Sequence, residues 1–219
     1  MAYQLFDENG HEIFQGDVEN RSVWYVHGEK KEITFVKRYG QKLDVVINPD
    51  KTNNPTVPDL LHNDSLADLK TQNTPLFYSK INYSQNPTYS VTLNLKDLYD
   101  YHVEKNYQDF YIFYWVDWVA IKMISGNGRV FNTEKIQGIW KLPLTELYSK
   151  RETCPIHWYA KRGMKGVIEK DLILAEKTRD FESRLINSNN ESEVYSMRGI
   201  GRNAACSYVI NLNEYERVV

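Results

Sequence analysis

The chain has 219 residues, 42% of them hydrophobic and 26% charged, which suits one globular domain or one domain with a modest appendage. Its 27 Lys and Arg against 29 Asp and Glu leave a net charge of −2, so a nucleic acid would have to meet a local basic patch and not a polycation. Two cysteines exclude a disulfide scaffold or a Cys-rich zinc site, and the lack of a long apolar run or a signal-like amino terminus leads us to expect a soluble, cytoplasmic protein with no membrane partner.

Aromatic residues reach 13%, with 16 tyrosines. Such residues fill cores and sheets; stacking on unpaired bases is the lesser alternative. Tyr3–Phe6 and Glu12–Phe14 flank Asn9-Gly10, a tight-turn dipeptide, and predict a hairpin. Glu29–Tyr39 predicts a helix ended by a left-handed Gly40. Within it Glu32, Phe35, Val36 and Tyr39 share one face. Glu32 is the one polar group on that face, which is unfavourable unless something inside needs a carboxylate.

Leu43–Ile47 predicts a strand, and Asn48–Thr56 a turn-rich loop. Two extended pieces, Val57–Leu61 and Leu66–Gln72, are joined by the turn-forming His62-Asn63-Asp64-Ser65. Tyr89–Leu93 predicts a further strand, and Asn94 caps a helix from Leu95 to about Glu104. Phe110–Trp118 is the most apolar stretch and predicts a central strand covered on both faces. Val119–Ile124 and Arg129–Phe131 enclose Gly126-Asn127-Gly128 as a second hairpin, and Leu142–Lys150 predicts a short helix with Pro143 in its first turn. Later strand candidates are Val167–Leu174 and Cys206–Leu212, with a polar loop at Asn187–Glu193. Strands alternating with helices point to a mixed α/β (α+β) layer architecture without an evident domain boundary.

The chemistry concentrates between residues 58 and 72. Side chains alternate along a strand, so Asp68, Lys70 and Gln72 project together while Leu69 faces the other way. Folding back at the His62–Ser65 turn brings Asp59 beside Asp68. Two carboxylates and an ammonium then share a pocket. Like charges at close range raise each other's pKa, and a divalent cation relieves that repulsion. Asp59, Asp68 and the backbone carbonyl of Leu69 are hard oxygen donors suited to Mg2+, with Mn2+ as a substitute. Lys70 is placed to orient a water and add positive charge beside a scissile phosphate, and Gln72 to hold the lysine or the water.

Pro58-Asp59 followed by Asp68-Leu69-Lys70 resembles the motif of the PD-(D/E)xK nuclease superfamily, which includes many type II restriction endonucleases. The resemblance spans about residues 28–118. It implies a central mixed β-sheet flanked by helices, a restriction-endonuclease-like core with Mg2+-dependent DNA cleavage, and a site role for Glu32 from the early helix. Glu29-Lys30-Lys31 also has an acid two before a lysine, but no Pro-Asp precedes it. Pro49-Asp50 is a rival first aspartate that sits in a polar loop.

These features lead us to expect a single nuclease domain over 1–219, a homodimer cutting double-stranded DNA, with no nucleotide cofactor. The alternatives are a phage or repair and recombination nuclease for structured or single-stranded DNA, and a catalytically silent DNA-binding module. The stretch Lys150–Lys170 is locally basic, and Lys161, Arg162 and Lys165 are candidates for the phosphate backbone. Arg198 and Arg202 are candidates for base edges. The five histidines show no metal-ligand spacing, and Cys154 with His157 lacks a third group to make a nucleophilic pair.

Overall fold

The computed structural model describes residues 3–13, 21–54, 57–158 and 206–219. Strands β1 (Gln4–Phe6) and β2 (Glu12–Ile13) form the expected first hairpin, with Gly10 at φ +80° in the turn. Helix α1 (Arg21–Leu43) is longer than the sequence pattern suggests and runs straight through Gly40. The left-handed residue that ends it is Asp44, at φ +49°. Gly40 is needed for space instead: a Cβ there would lie 2.8 Å from the Val45 carbonyl oxygen, where the next strand turns back along the helix.

That strand, β3 (Val45–Ile47), begins an antiparallel meander through β4 (Leu60–His62) to β5 (Ser65–Gln72). The β4–β5 turn is made by Asn63 and Asp64, at φ +48° and +64°, the backbone that two-residue hairpins favour because it matches strand twist. His62 locks the turn to the helix. Its Nδ1 lies 2.9 Å from the Leu43 carbonyl, a group that only accepts, so Nδ1 carries the hydrogen and satisfies an otherwise open carbonyl at the end of α1.

The chain continues through α2 (Ser79–Tyr83), β6 (Ser90–Asn94) and α3 (Leu95–Tyr99), which extends into a wider turn over Asp100–Glu104. Asn94 ends β6 and does not act as the expected cap: its Oδ1 accepts from Ser207 Oγ at 3.0 Å. Strand β7 (Tyr111–Asp117) is followed by the hairpin β8 (Lys122–Ile124) and β9 (Val130–Asn132), with Gly128 at φ +80°. Next come β10 (Gln137–Pro143), α4 (Leu144–Lys150), β11 (Ile156–Trp158), β12 (Cys206–Asn211) and β13 (Glu216–Arg217). The sequence pattern does not reveal β10, although it pairs with β7 along its whole length.

The main sheet has the order β13-β10-β7-β5-β4-β3. It is mixed: β5 and β7 are parallel, the other pairs antiparallel. Its two faces explain the apolar run of β7. Phe113 and Trp115 face α1 and pack with Phe35, Leu60, Leu69 and Ile139. Ile112, Tyr114 and Val116 face the opposite layer with Leu93, Leu98, Leu144 and Tyr208. That second layer comprises α3, α4 and the three-stranded sheet β11-β12-β6. Two buried polar side chains bind the layers: Tyr114 Oη donates to the Thr92 carbonyl at 3.0 Å, and Trp118 Nε1 to that of Thr88 at 2.8 Å. A smaller sheet, β2-β1-β8-β9, closes over Leu5, Phe77, Ala120 and Met123. The architecture is a sheet-dominated mixture of α and β, and the aromatic excess supplies much of its core. No helix among the described residues is long and apolar enough to cross a membrane.

Candidate active site

The meander aligns the two aspartates. Leu60 pairs with Ala67 in the β4–β5 register, and extending that register by one residue sets Asp59 opposite Asp68. Asp59 Oδ2 accepts from the backbone amide of Leu69 at 3.3 Å, which ties the strand lead-in to the motif strand. Alternation along β5 then separates its side chains as the sequence pattern requires: Leu69 is buried toward α1, while Asp68 and Lys70 meet on the other face with Lys70 Nζ 2.8 Å from Asp68 Oδ2.

Glu32 reaches the same region from α1. Its helix face is held down by Phe35, which is fully buried against Phe113 and Trp115, so the carboxylate one turn away is carried inward. Lys51 Nζ lies 2.5 Å from both Glu32 Oε2 and Asp59 Oδ1. On the other side, Lys70 Nζ donates to Asp97 Oδ2 of α3 at 2.8 Å. The centre is thus a chain of alternating charge: Glu32, Lys51, Asp59, Asp68, Lys70 and Asp97. As the side chains stand, the acids turn onto the two ammonium groups, and no three carboxylate, imidazole or thiol groups among the described residues surround a common point.

Asp68 is the strained member of this chain. It is only 3% exposed, and burial pushes its carboxyl up to about 6; Lys70 opposes the rise and the neighbouring Asp59 adds to it. Although Lys70 Nζ is close, its angle does not suit donation, and Asp68 Oδ2 is a buried acceptor without a hydrogen bond. An additional cation would satisfy it, and the surrounding all-oxygen acidic donors fit Mg2+ or Mn2+. Burial works against the charge on Lys70, but Asp68 and then Asp97 more than offset it and hold the ammonium well above the usual lysine range. Lys51 behaves alike: burial is outweighed by Asp59 and Glu32, and its pKa is raised. Burial, followed by the charge of Asp68, drives the nearby Tyr101 phenol well above its ordinary value, so it remains a neutral hydroxyl.

Gln72 departs from its expected part. Its Nε2 donates to the Thr74 carbonyl at 3.0 Å and its Oε1 accepts from the Thr92 amide at 3.3 Å, so its polar atoms join β5 to β6 and do not hold Lys70. Asp50, the rival aspartate, is exposed. The chain matches no family model, no curated protein and no solved structure. The site therefore rests on its own geometry.

Lys51 and Asp97 are the site residues that sequence reasoning overlooks. Asp97 has the local signature of any acid in a helical first turn, and Lys51 that of any lysine in a polar loop. Lys161, Arg162, Lys165, Arg198 and Arg202 lie outside the described residues, as do the strand expected at Val167–Leu174 and the loop at Asn187–Glu193. Of the basic stretch, Lys150 pairs with Glu146 and Glu214, at 2.7 and 3.5 Å, and Arg151 packs over the Tyr148 ring. Cys154 is no nucleophile: burial pushes its thiol up to about 11, and His157 Nδ1 is engaged by the Tyr83 hydroxyl at 2.8 Å.

Proposed function

We propose that the chain is a magnesium-dependent endodeoxyribonuclease, acting as a restriction-type homodimer on double-stranded DNA. The observation that carries this reading is the buried Asp68, which has an acceptor oxygen without a hydrogen bond and sits beside Asp59 and a lysine held in its charged form. A purely structural salt bridge gives no reason to bury two acids so close together. The PD-(D/E)xK-like order of Pro58-Asp59 and Asp68-Leu69-Lys70, carried on neighbouring strands of a mixed sheet, supports the same reading.

Asp59 and Asp68, with the Leu69 carbonyl and Glu32, are the groups that would hold Mg2+. Bound there, the ion supplies an acidified water and positive charge for the phosphoryl transition state. The chain's own contribution is electrostatic placement. Lys70 stays protonated at neutral pH, so it donates to a phosphate oxygen or orients the attacking water and does not remove its proton. Asp97 fixes the direction of that ammonium. Two copies related by a two-fold axis place one such site on each strand of a palindromic target.

The test is incubation of unmethylated plasmid with the protein in Mg2+, with EDTA as control. Discrete fragments are expected. Smears or junction-specific cuts would favour the repair-type alternative, and no cleavage in Mg2+ or Mn2+ would leave a silent binding module.

A further inference from the structure

Resting on the metal-site reading above, we infer that Lys51 is a resident counter-ion of the acidic site, which must release Glu32 and Asp59 for the divalent ion to bind. Its placement is built into the fold. Lys51 sits in a short helical turn, Pro49–Thr52, whose preceding residue Asn48 is 2% exposed. The Asn48 amide donates to the Asp59 carbonyl at 3.0 Å, its Nδ2 donates to the Pro58 carbonyl at 2.9 Å, and its Oδ1 accepts from the Asp50 amide at 3.1 Å. One buried amide side chain therefore clamps the turn bearing Lys51 onto the segment bearing Asp59. The ammonium is not a surface charge that happens to lie nearby.

The arrangement solves a problem of the metal-free state. Glu32 and Asp59 are largely buried acids with side chains 13% and 19% exposed, and without a cation between them their repulsion would oppose folding. An ammonium is a compact point charge on a flexible stem, so it can neutralise the pair and still withdraw. A hard divalent ion gains most from direct carboxylate oxygens. It cannot use Glu32 Oε2 and Asp59 Oδ1 while both accept from Lys51. The two cations thus compete for the same oxygens, and the distribution of acids over two lysines, with none gathered around one point, is the arrangement such competition produces.

Calorimetric titration of the full chain with Mn2+ alone, for wild type and Lys51→Met, tests the idea. The variant is expected to bind Mn2+ roughly tenfold more tightly and to be less stable without metal, so that saturating Mn2+ raises its melting temperature more than that of the wild type. A second measurement needs no variant: amine labelling of the wild-type protein followed by mass spectrometry should find Lys51 slow to react in EDTA and faster in Mn2+. Equal or weaker Mn2+ binding by a folded Lys51→Met protein overturns the competition, as does labelling of Lys51 that Mn2+ leaves unchanged. If the wild-type chain binds no Mn2+ at all, the metal-site reading itself fails and takes the inference with it.

Discussion

Asp97 Oδ2 accepts a hydrogen bond from Lys70 Nζ at 2.8 Å, joining residues 27 positions apart in the chain. The same ammonium lies 2.8 Å from Asp68. It is fixed between an acid of its own strand and an acid of α3, so its direction is set by the second layer of the fold. The nuclease reading gives Asp97 the part of a positioning residue. Asp97→Asn should lower cleavage by roughly 10–100-fold, the usual cost of losing an outer partner of a site. Losing a carboxylate that raises the Lys70 pKa also moves the alkaline limb of the pH–rate profile to lower pH, while Mn2+ affinity changes little. A profile that stays in place would show that Asp97 does not tune Lys70.

Asp68→Asn should abolish cleavage, and it also carries a stability signature independent of activity. The folded-state value of about 6 lies above the ordinary 3.8. The folded protein thus binds more protons than the unfolded chain between those limits, and its stability falls as pH rises through them. The steepest slope is about 1.4 kcal/mol per pH unit. Urea unfolding in EDTA should therefore find that the Asp68→Asn variant gains on wild type as pH rises from about 4 to about 6, with the difference then level. A constant difference across that range would mean that Asp68 titrates normally.

Two local rules oppose each other at Gly40. Replacing a glycine inside a helix by alanine ordinarily gains about 1 kcal/mol. Here the new methyl would sit 2.8 Å from the Val45 carbonyl oxygen and 3.3 Å from Val36, and the first contact is with backbone that cannot yield cheaply. Overpacking should prevail, with Gly40→Ala destabilising by about 1–3 kcal/mol in denaturant unfolding. A stabilised variant would show that the α1–β3 corner relaxes freely.

Phe35 ties the site helix to the sheet. It is fully buried and its ring lies 6.1 Å from Phe113 and 5.9 Å from Trp115. Phe35→Ala should cost about 3–5 kcal/mol, and because Glu32 is one turn away, the folded fraction should also bind Mn2+ more weakly. Thermal and calorimetric measurements on the same sample separate the two effects. Wild-type Mn2+ affinity in the folded variant would remove Glu32 from the site.

Much of this arrangement is written locally. The period of two along residues 66–72 decides that Asp68 and Lys70 share a face and that Leu69 does not. The helical period decides that Glu32 travels with Phe35, and the run from Phe110 to Trp118 signals a strand buried on both sides. Asn63-Asp64 supplies the turn that brings Asp59 back to Asp68. Local pattern states which way a side chain faces; it does not state what it meets there. Whether Gly40 ends a helix or clears space for a passing strand depends on the path of β3. That Gln137–Pro143 is a strand is decided by its pairing with β7, because Gly138 and Pro143 weaken its own propensity. The partnerships of Lys51 with Glu32 and of Lys70 with Asp97 are also tertiary. They join residues 19 and 27 positions apart, and the charges become strongly coupled only once packing has removed water from around them.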